Sequence, residues 1–350
     1  MGSIKRLAEE VERGLRAAHP GLRLTVVRKL SLVVGAMIEA QTANTVELSN
    51  VLVLATERQD MREQWLRRLL KNPLVCPTDI IKPLAMAELA QAASHDRTVC
   101  LSLDQTDLGD RMALLVLALR VGERVLPLAW WAEEGAANIG FAGQQAILET
   151  VLAWLPTGAR VLLLADRFYP SAALFEWLHE HEWGYRLRLK GNLRVDTGVA
   201  ETTTGDLAKG VREAYFPGVR LFASGVMTNL GIVHESGHPQ PWMIAMDAIP
   251  TRARVLDYAT RWGIEPMFSD FKGRGFGLGD SHLRHSDRLE RLVLIMALAM
   301  YWCARIGRER ACHHPTPLEK KPKHRTIQTT GASASSPAVW FRGSPVACAT

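Results

Sequence analysis

Residues 258–272, YATRWGIEPMFSDFK, carry four polar side chains whose spacing could support chemistry. Tyr258, Arg261, Glu265 and Lys272 recur at intervals that return to one face of a helix, which turns by about 100° per residue. A surface helix would mix its charges without needing such a register. The pattern therefore predicts a site in which a lone carboxylate lies among cations.

Two aspartates elsewhere in the chain interrupt apolar strands. Asp104 lies inside VCLSLDQT, and Asp166 lies at the C-terminal end of RVLLLADRFY. A charged side chain in a buried strand is costly unless it is paired or binds a ligand. Either aspartate alone is more often a turn or helix-cap residue, so the prediction of a site depends on their joint position.

The elements around these aspartates predict how they are positioned. VCLSLDQT, RMALLVLALRVG and RVLPLAWWAE are β-rich runs joined by tight turns, which predicts an antiparallel meander. A helix, a strand, a helix and a strand follow, ending with YRLRLKGN. The order β-β-β-α-β-α-β predicts an α/β fold with a ribonuclease H-like core, in which the first and fourth strands are neighbours and Asp104 and Asp166 lie side by side.

Neighbouring carboxylates indicate a metal site. They repel each other unless one is protonated or a cation bridges them, and hard oxygen ligands select Mg²⁺ or Mn²⁺. Glu265 is the candidate third ligand. Two ions ~4 Å apart would activate a water or a 3′-hydroxyl on one side of a phosphodiester and stabilise the leaving oxygen on the other. Tyr258, Arg261 and Lys272 would then hold phosphate oxygens, which explains a carboxylate among cations.

At this point the motifs resemble a known family. The spacing Tyr-x2-Arg-x3-Glu-x6-Lys resembles the YREK signature of bacterial insertion-sequence transposases of family four, which use a DDE triad. LSLDQT and LLADRFY are similar to the two aspartate-bearing strands of that family, so the resemblance assigns catalysis and metal binding to Asp104, Asp166 and Glu265. The resemblance covers residues from about 25 to 308.

The resemblance implies cut-and-paste transposition. Its steps are hydrolytic nicking at the ends of the element, a hairpin intermediate in the better-understood members, and strand transfer into target DNA. The implied cofactor is Mg²⁺, for which Mn²⁺ can substitute, with two ions per active site. The implied partners are double-stranded DNA, both terminal inverted repeats and target, and a second copy of the chain in a homodimeric synaptic complex.

Trp242 in PWMIAMD matches a position where that family places an aromatic residue against an extruded base. A tryptophan at the start of a β run is also an ordinary core residue. Both interpretations stay open at this point.

The chain as a whole predicts five segments. Residues with helical periodicity and a basic excess come first, and Thr42, Thr45 or Ser49 could cap a short helix among them. We expect an all-α N-terminal DNA-binding domain at 1–95, the first part of the core at 96–191, an antiparallel β insertion at 192–250, the Glu-bearing helix and C-terminal helix at 251–310, and a basic disordered tail at 311–350.

Composition restricts the class of protein. A net charge of +6 over 350 residues weakly favours a polyanionic partner, and five cysteines without a CxxC pair suit a reducing compartment. The start of the sequence lacks the apolar core of a signal peptide, and the longest uncharged apolar run, 292–303, is shorter than the ~20 residues of a membrane span. We expect a cytoplasmic, nucleoid-associated protein without a membrane partner.

Two other functions share parts of this pattern. A ribonuclease H-like nuclease or resolvase would use the same three carboxylates to cut DNA without joining it. A catalytically silent, transposon-derived DNA-binding regulator would retain the domain as a scaffold. Three convergent carboxylates argue against the second alternative, because a scaffold has no need of them.

Overall fold

A computed structural model of the protein describes residues 2–136, 138–235 and 237–313. The chain forms two compact units. The helical unit comprises the residues up to Ile81 and those from Phe268 onward, and the sheet unit comprises Lys82–Met267. Most of the tail predicted at 311–350 lies outside the described residues, so that prediction stays untested. Across the described residues, no helix has the length and apolarity needed to cross a bilayer.

The first two helices of the helical unit differ in how much of their surface is buried. The helices before the first strand are α1 (Gly2–Ala18), α2 (Leu24–Ala40), α3 (Thr45–Val51), α4 (Gln59–Leu70) and α5 (Pro77–Ala93), of which α5 continues into the sheet unit. Buried residues occur on nearly every side of α2, as expected of a helix enclosed by others. By contrast, α1 buries one stripe, Ile4, Leu7, Val11 and Leu15.

Glycines allow these helices to approach closely. A Cβ on Gly35 of α2 would lie 3.0 Å from the backbone of Ile4 and Ala8 in α1. A Cβ on Gly14 would lie 2.6 Å from the ring of Trp302, in the long C-terminal helix of the described chain. Close packing of this kind makes the core of the unit sensitive to added volume.

The short helix α3 is held at both ends by side chains. Its N-cap is Asn44, whose Oδ1 accepts hydrogen bonds from the backbone N–H groups of Val46 and Glu47. The candidates from sequence, Thr42, Thr45 and Ser49, do not cap it, because Asn44 is the extended residue that directly precedes the first turn. After α3, the buried guanidinium of Arg62 donates to several main-chain carbonyls, those of Ser49, Asn50, Leu52 and Thr56.

The sheet unit contains a ten-stranded sheet in its described residues. Strands β1 (Val99–Asp107), β2 (Met112–Val121) and β3 (Arg124–Glu134) form the predicted antiparallel meander. Helix α6 (Phe141–Leu152), strand β4 (Val161–Ala165), helix α7 (Ala172–Glu180) and strand β5 (Gly184–Arg188) follow in the predicted order. Strand β4 pairs in parallel with both β1 and β5, which confirms that the first and fourth strands are neighbours.

The β insertion continues this sheet at the edge beyond β5. Its elements are β6 (Arg194–Asp196), β7 (Glu201–Thr203), α8 (Thr204–Ala208), β8 (Glu213–Leu221), β9 (Val226–Val233) and β10 (Trp242–Met246). Strand β10 pairs antiparallel with β5, and the full order is β3-β2-β1-β4-β5-β10-β9-β8-β6-β7. The insertion is therefore antiparallel, as predicted, and shares its backbone hydrogen bonds with the central strands.

The stretch with the four spaced polar residues is not one continuous α-helix, which corrects the sequence expectation. Helix α9 (Arg252–Leu256) is followed by a 3₁₀ segment (Asp257–Gly263) and then by α10 (Ile264–Phe271). Pro266 lies in the first turn of α10, where a missing N–H costs no intrahelical hydrogen bond. The last described helix is α11 (Ser286–His313).

Candidate active site

The two aspartates are brought together by the parallel pairing of β1 with β4. In that register Leu103 is the partner of Ala165. Asp104 is the next residue of β1 and Asp166 directly follows β4, so both lie at the same level just beyond the last paired residues. The charge of Asp166 acts on Asp104, which is consistent with this proximity.

Both oxygens of Asp104 have donors within the sheet unit. Its Oδ1 accepts from the hydroxyl of Tyr169 at 3.1 Å and from the backbone N–H of Gln105 at 2.9 Å. Its Oδ2 lies 2.8 Å from Nη1 of Arg261. These contacts fix the direction of a carboxylate whose side chain is only 19% exposed.

Asp166 has a different pair of partners. Its Oδ1 accepts from the hydroxyl of Tyr258 at 3.1 Å and lies 4.0 Å from Nη1 of Arg188 on β5. The side chain is 22% exposed, so one cation and one hydroxyl face a carboxylate that solvent still reaches.

The 3₁₀ segment carries Tyr258 and Arg261 to these aspartates. Residues three apart eclipse each other in a 3₁₀ helix, so the two side chains lie one above the other. The segment is anchored to the sheet, because Arg120 of β2 donates to the carbonyl of Thr260 at 2.7 Å and buried Arg186 of β5 lies 3.4 Å from the carboxylate of Asp257. Glu265 follows in the first turn of α10, four residues after Arg261.

Arg261 connects the site through three hydrogen bonds. Its Nη1 contacts Asp104, its Nη2 lies 2.9 Å from Oε1 of Glu265, and its Nε donates to the hydroxyl of Tyr258 at 3.0 Å. The hydroxyl of Tyr258 in turn donates a hydrogen bond to Asp166. Arg261 and Tyr258 thus join all three predicted carboxylates in one network, the carboxylate network.

Burial shifts the pKa values of several groups in the carboxylate network. Burial raises the pKa of Asp104 above its usual value, Arg261 opposes that shift, and the charge of Asp166 adds to it. Burial also raises the pKa values of Tyr258 and Tyr169 above the usual tyrosine value. Both hydroxyls therefore stay protonated at neutral pH and remain hydrogen-bond donors.

Arg261 remains a cation within the carboxylate network. Burial alone would lower its pKa, but neighbouring oxygens outweigh that effect and raise it, namely those of Tyr258, Asp104, Asp166 and Glu265. The side chain of Glu265 is 58% exposed, against 8% for Arg261. The network therefore opens to solvent on the side of Glu265.

Asp104, Asp166 and Glu265 all offer carboxylate oxygens, which are the type of ligand that a hard divalent cation prefers. Among the described residues, however, no group of three or more His, Cys, Asp or Glu side chains is arranged as a metal site. In the arrangement described, the guanidinium of Arg261 bridges Asp104 and Glu265.

The other two candidates, Trp242 and Lys272, are not members of the carboxylate network. Trp242 begins β10 and is 4% exposed, with its ring 5.6 Å from that of Tyr258 in an edge-to-face contact. Trp242 also packs with Val233, Ile244, Met246 and Val255 in the core, and its contact with a base stays a prediction. Lys272 directly follows α10 in the helical unit, and its contact with phosphate stays a prediction.

Tyr169 and Arg188 are partners of the aspartates that the sequence expectation missed. Tyr169 stands three residues after Asp166 in LLADRFY, and a sequence signal was available there because a turn that follows a strand often folds back over its end. Arg188 is the last residue of β5, and only the pairing of β4 with β5 brings it near Asp166.

One comparison with known families gives a match. Residues 141–302 match the model of a family described as the transposase DDE domain. The matched region contains Asp166, Tyr258, Arg261 and Glu265, and Asp104 precedes it. Among curated proteins, no sequence matches the chain. The family match supports a DDE transposase, a class of enzyme that acts on DNA and generally uses divalent metal ions.

Proposed function

We propose that the protein is a transposase of the family-four YREK type, which moves a DNA element by cut-and-paste transposition. The carboxylate network carries this proposal, because Asp104, Asp166 and Glu265 come from separate elements and yet share Arg261 and Tyr258. A purely structural ion pair would need one carboxylate for one guanidinium. Three carboxylates near two cations, Arg261 and Arg188, leave an excess of negative charge that suits metal ions.

The strand order supports a ribonuclease H-like core. The order β3-β2-β1-β4-β5, with an antiparallel meander followed by parallel β4 and β5, is the arrangement expected of that fold. In this proposal Asp104 and Asp166 act from the ends of the central strands, and Glu265 acts from α10.

Asp104, Asp166 and Glu265 would hold Mg²⁺, or Mn²⁺ in its place, as two ions per site. Such ions activate a water or a 3′-hydroxyl and stabilise the leaving oxygen of a phosphodiester when they are bound. Two tyrosine hydroxyls would hold these carboxylates in a fixed orientation. Tyr169 orients Asp104 and Tyr258 orients Asp166, each through a hydroxyl that donates to a carboxylate oxygen.

Arg261 and Lys272 would bind the phosphates of the DNA. The planar guanidinium of Arg261 already holds two carboxylates, and a phosphate offers it the same bidentate geometry. We expect DNA to compete for Arg261, which releases carboxylate oxygens as the phosphate arrives. If Lys272→Ala left the cleavage rate within about twofold of the wild type, the assignment of Lys272 to phosphate would be wrong.

The remaining parts of the proposal concern DNA recognition and assembly. The N-terminal helices, at 1–95, would bind the terminal inverted repeats, and two copies would pair the ends in a synaptic complex. A mildly basic chain suits this polyanionic partner.

The decisive experiment incubates the full-length protein with the DNA that flanks its own gene, in Mg²⁺, Mn²⁺ or Ca²⁺, and resolves the products on a denaturing gel. We expect nicks at the inverted-repeat ends in Mg²⁺ that are lost in Glu265→Gln and retained in Glu176→Gln, a matched change at an exposed position of α7. A labelled target plasmid in the same reaction detects strand transfer.

The outcomes separate the candidate functions. Cutting followed by joining to the plasmid supports a transposase. Cutting without joining supports a nuclease or resolvase, and end-specific binding without cutting in any metal supports a DNA-binding regulator. Loss of both folding and binding in Glu265→Gln would instead indicate that the residue is structural.

A further inference from the structure

An aromatic side chain is exposed directly beside the carboxylate network. Phe168 lies in the turn after β4, two residues beyond Asp166, and is 54% exposed. Water contact of this extent is unfavourable for a phenylalanine ring. Its position next to the candidate active site calls for a ligand that covers the ring.

Two cations flank the ring of Phe168. The Nζ of Lys190 lies 5.0 Å from the ring centroid, and the guanidinium carbon of Arg167 lies 5.6 Å from it. Lys190 itself is exposed, whereas Arg167 is half-buried and donates to the side chain of Gln240 at 3.2 Å. An apolar face between two cations matches the chemistry of a nucleotide, which has a flat base and a charged phosphate.

Phe168 and its cations line a groove of about 720 Å³ in the sheet unit. This volume falls within the ~300–1,000 Å³ range of sites that enclose small ligands. Arg188 and Lys209 also line it, and no aspartate or glutamate occurs among its described lining residues. Of these cations, Arg188 is near Asp166, and Lys209 pairs with Asp206. The other two, Arg167 and Lys190, are those that contact the ring of Phe168.

Two glycines, Gly191 and Gly205, also line the groove. A Cβ on Gly205 would lie 2.7 Å from the carbonyl oxygen of Gly191. The backbone N–H of Gly205 donates to that oxygen at the same distance, which joins the segment after β5 to the start of α8. The backbone here is therefore held without side chains that would fill the groove.

We propose that this groove binds a single-stranded segment of DNA, with one base stacked on Phe168 and the adjacent phosphates contacted by Lys190 and Arg167. The inference rests on the proposed function, in which DNA is the substrate. Cationic grooves with aromatic platforms are how proteins hold single strands without reading their sequence. A base in a paired duplex is already stacked on its neighbours, so an unpaired nucleotide gains most from Phe168.

The test measures binding of the full-length protein to a short single-stranded oligonucleotide that carries 2-aminopurine, in EDTA so that no cleavage occurs. Stacking on an aromatic ring quenches this fluorophore. We expect Phe168→Ala to weaken binding by about 5- to 150-fold and to lose the quenching, and Phe168→Trp to retain both. Trp131→Ala is the matched control, because Trp131 is 40% exposed, lies on the edge strand β3 and does not line the groove.

The salt dependence of binding tests the role of the cations that line the groove. Lys190→Ala should lower the salt dependence of single-strand binding by about one unit of slope, whereas Phe168→Ala should leave that slope unchanged. Binding of the matching duplex in the same buffer reports whether the variants are folded. Duplex affinity within about twofold of the wild type is expected for Phe168→Ala, because an intact duplex offers no free base to Phe168.

The result that overturns the inference is single-strand binding and quenching by Phe168→Ala equal to those of the wild type. An equal loss of binding in Trp131→Ala would overturn it too, because a general loss of stability would then explain the effect. Neither outcome affects the proposed transposase activity, which the cleavage assay tests separately. Conversely, a protein that binds single strands through Phe168 but never cuts DNA would disprove the proposed function and leave the groove assignment standing.

Discussion

Nη1 of Arg261 lies 2.8 Å from Oδ2 of Asp104, although the two residues are 157 positions apart in the sequence. Both side chains are largely buried, at 8% and 19% exposure. Removing Arg261 would leave the buried charge of Asp104 unpaired, which costs far more than breaking a pair at the surface. Removing the charge of Asp104 still leaves Arg261 paired with Glu265.

The first prediction follows from that contact. Arg261→Met should lower the free energy of unfolding by about 3–5 kcal/mol in metal-free buffer, because Asp104 and Glu265 then lose the cation that bridges them. Urea denaturation followed by circular dichroism measures this change. Arg194→Met is the control, since its pair with Glu201 is more than half exposed and should contribute little to stability. Similar losses in both variants would contradict the central role of Arg261.

A second prediction concerns the protonation of Asp104. Burial raises its pKa, so between the usual aspartate value of about 3.9 and the raised value the folded protein binds more protons than the unfolded chain. The free energy of unfolding therefore falls as pH rises through this window, and the loss persists at neutral pH. Asp104→Asn removes this loss and should raise Tm at pH 7 in EDTA.

The pH dependence of the Tm of Asp104→Asn tests the same prediction. The difference in Tm between Asp104→Asn and the wild type should shrink as pH falls below about 4, where the native carboxyl is also neutral. Asp110→Asn, at an exposed turn position, should show no such difference. A lower Tm for Asp104→Asn at pH 7 would mean that the ion pair with Arg261 outweighs the cost of burial.

A third prediction concerns the two tyrosine hydroxyls. Tyr258→Phe and Tyr169→Phe keep the buried rings and remove only the donors to Asp166 and Asp104. Each should lower the free energy of unfolding by about 1.5–3 kcal/mol, the usual contribution of a hydrogen bond to a charged group. Tyr258→Phe should cost more, because its hydroxyl also accepts from Arg261.

Thermal unfolding and the DNA-cleavage assay together check this prediction. Tyr215→Phe provides the control, since its hydroxyl donates to Glu213 at the surface. Full cleavage activity in both Tyr258→Phe and Tyr169→Phe would show that the carboxylates do not depend on these donors for their orientation.

A fourth prediction concerns the helical unit. Arg62→Met should destabilise it by about 1–3 kcal/mol or more, the cost of one buried polar group left unsatisfied. The reason is that carbonyls in the last turn of α3 and just after it lose their donor. Hydrogen exchange of the α3 amides should accelerate in this variant. Arg68→Met, at an exposed position of the same helix, should leave exchange unchanged.

Much of the site could be predicted from sequence because its signals are local. Asp104 and Asp166 stand out as charges at the ends of apolar β runs, and the antiparallel meander follows from short turns between alternating residues. The intervals between Tyr258, Arg261 and Glu265 already required a shared face. Even so, the sequence predicted one helix where the structure has a 3₁₀ segment and a new α-helix, because the choice between the two depends on contacts such as that of Arg120 with Thr260.

The sequence by itself determined which residue types recur and at what spacing, and so the carboxylates, their strands and the order of the elements in the core. Only the tertiary structure decided that Trp242 is buried while Phe168 is exposed, that Arg188 approaches Asp166, and that β10 extends the sheet from β5. The physical reason is the separation along the chain of the residues that interact. Spacing is fixed by bonds along the chain, whereas burial and pairing depend on which distant segments pack together, and that depends on the free energy of the whole fold.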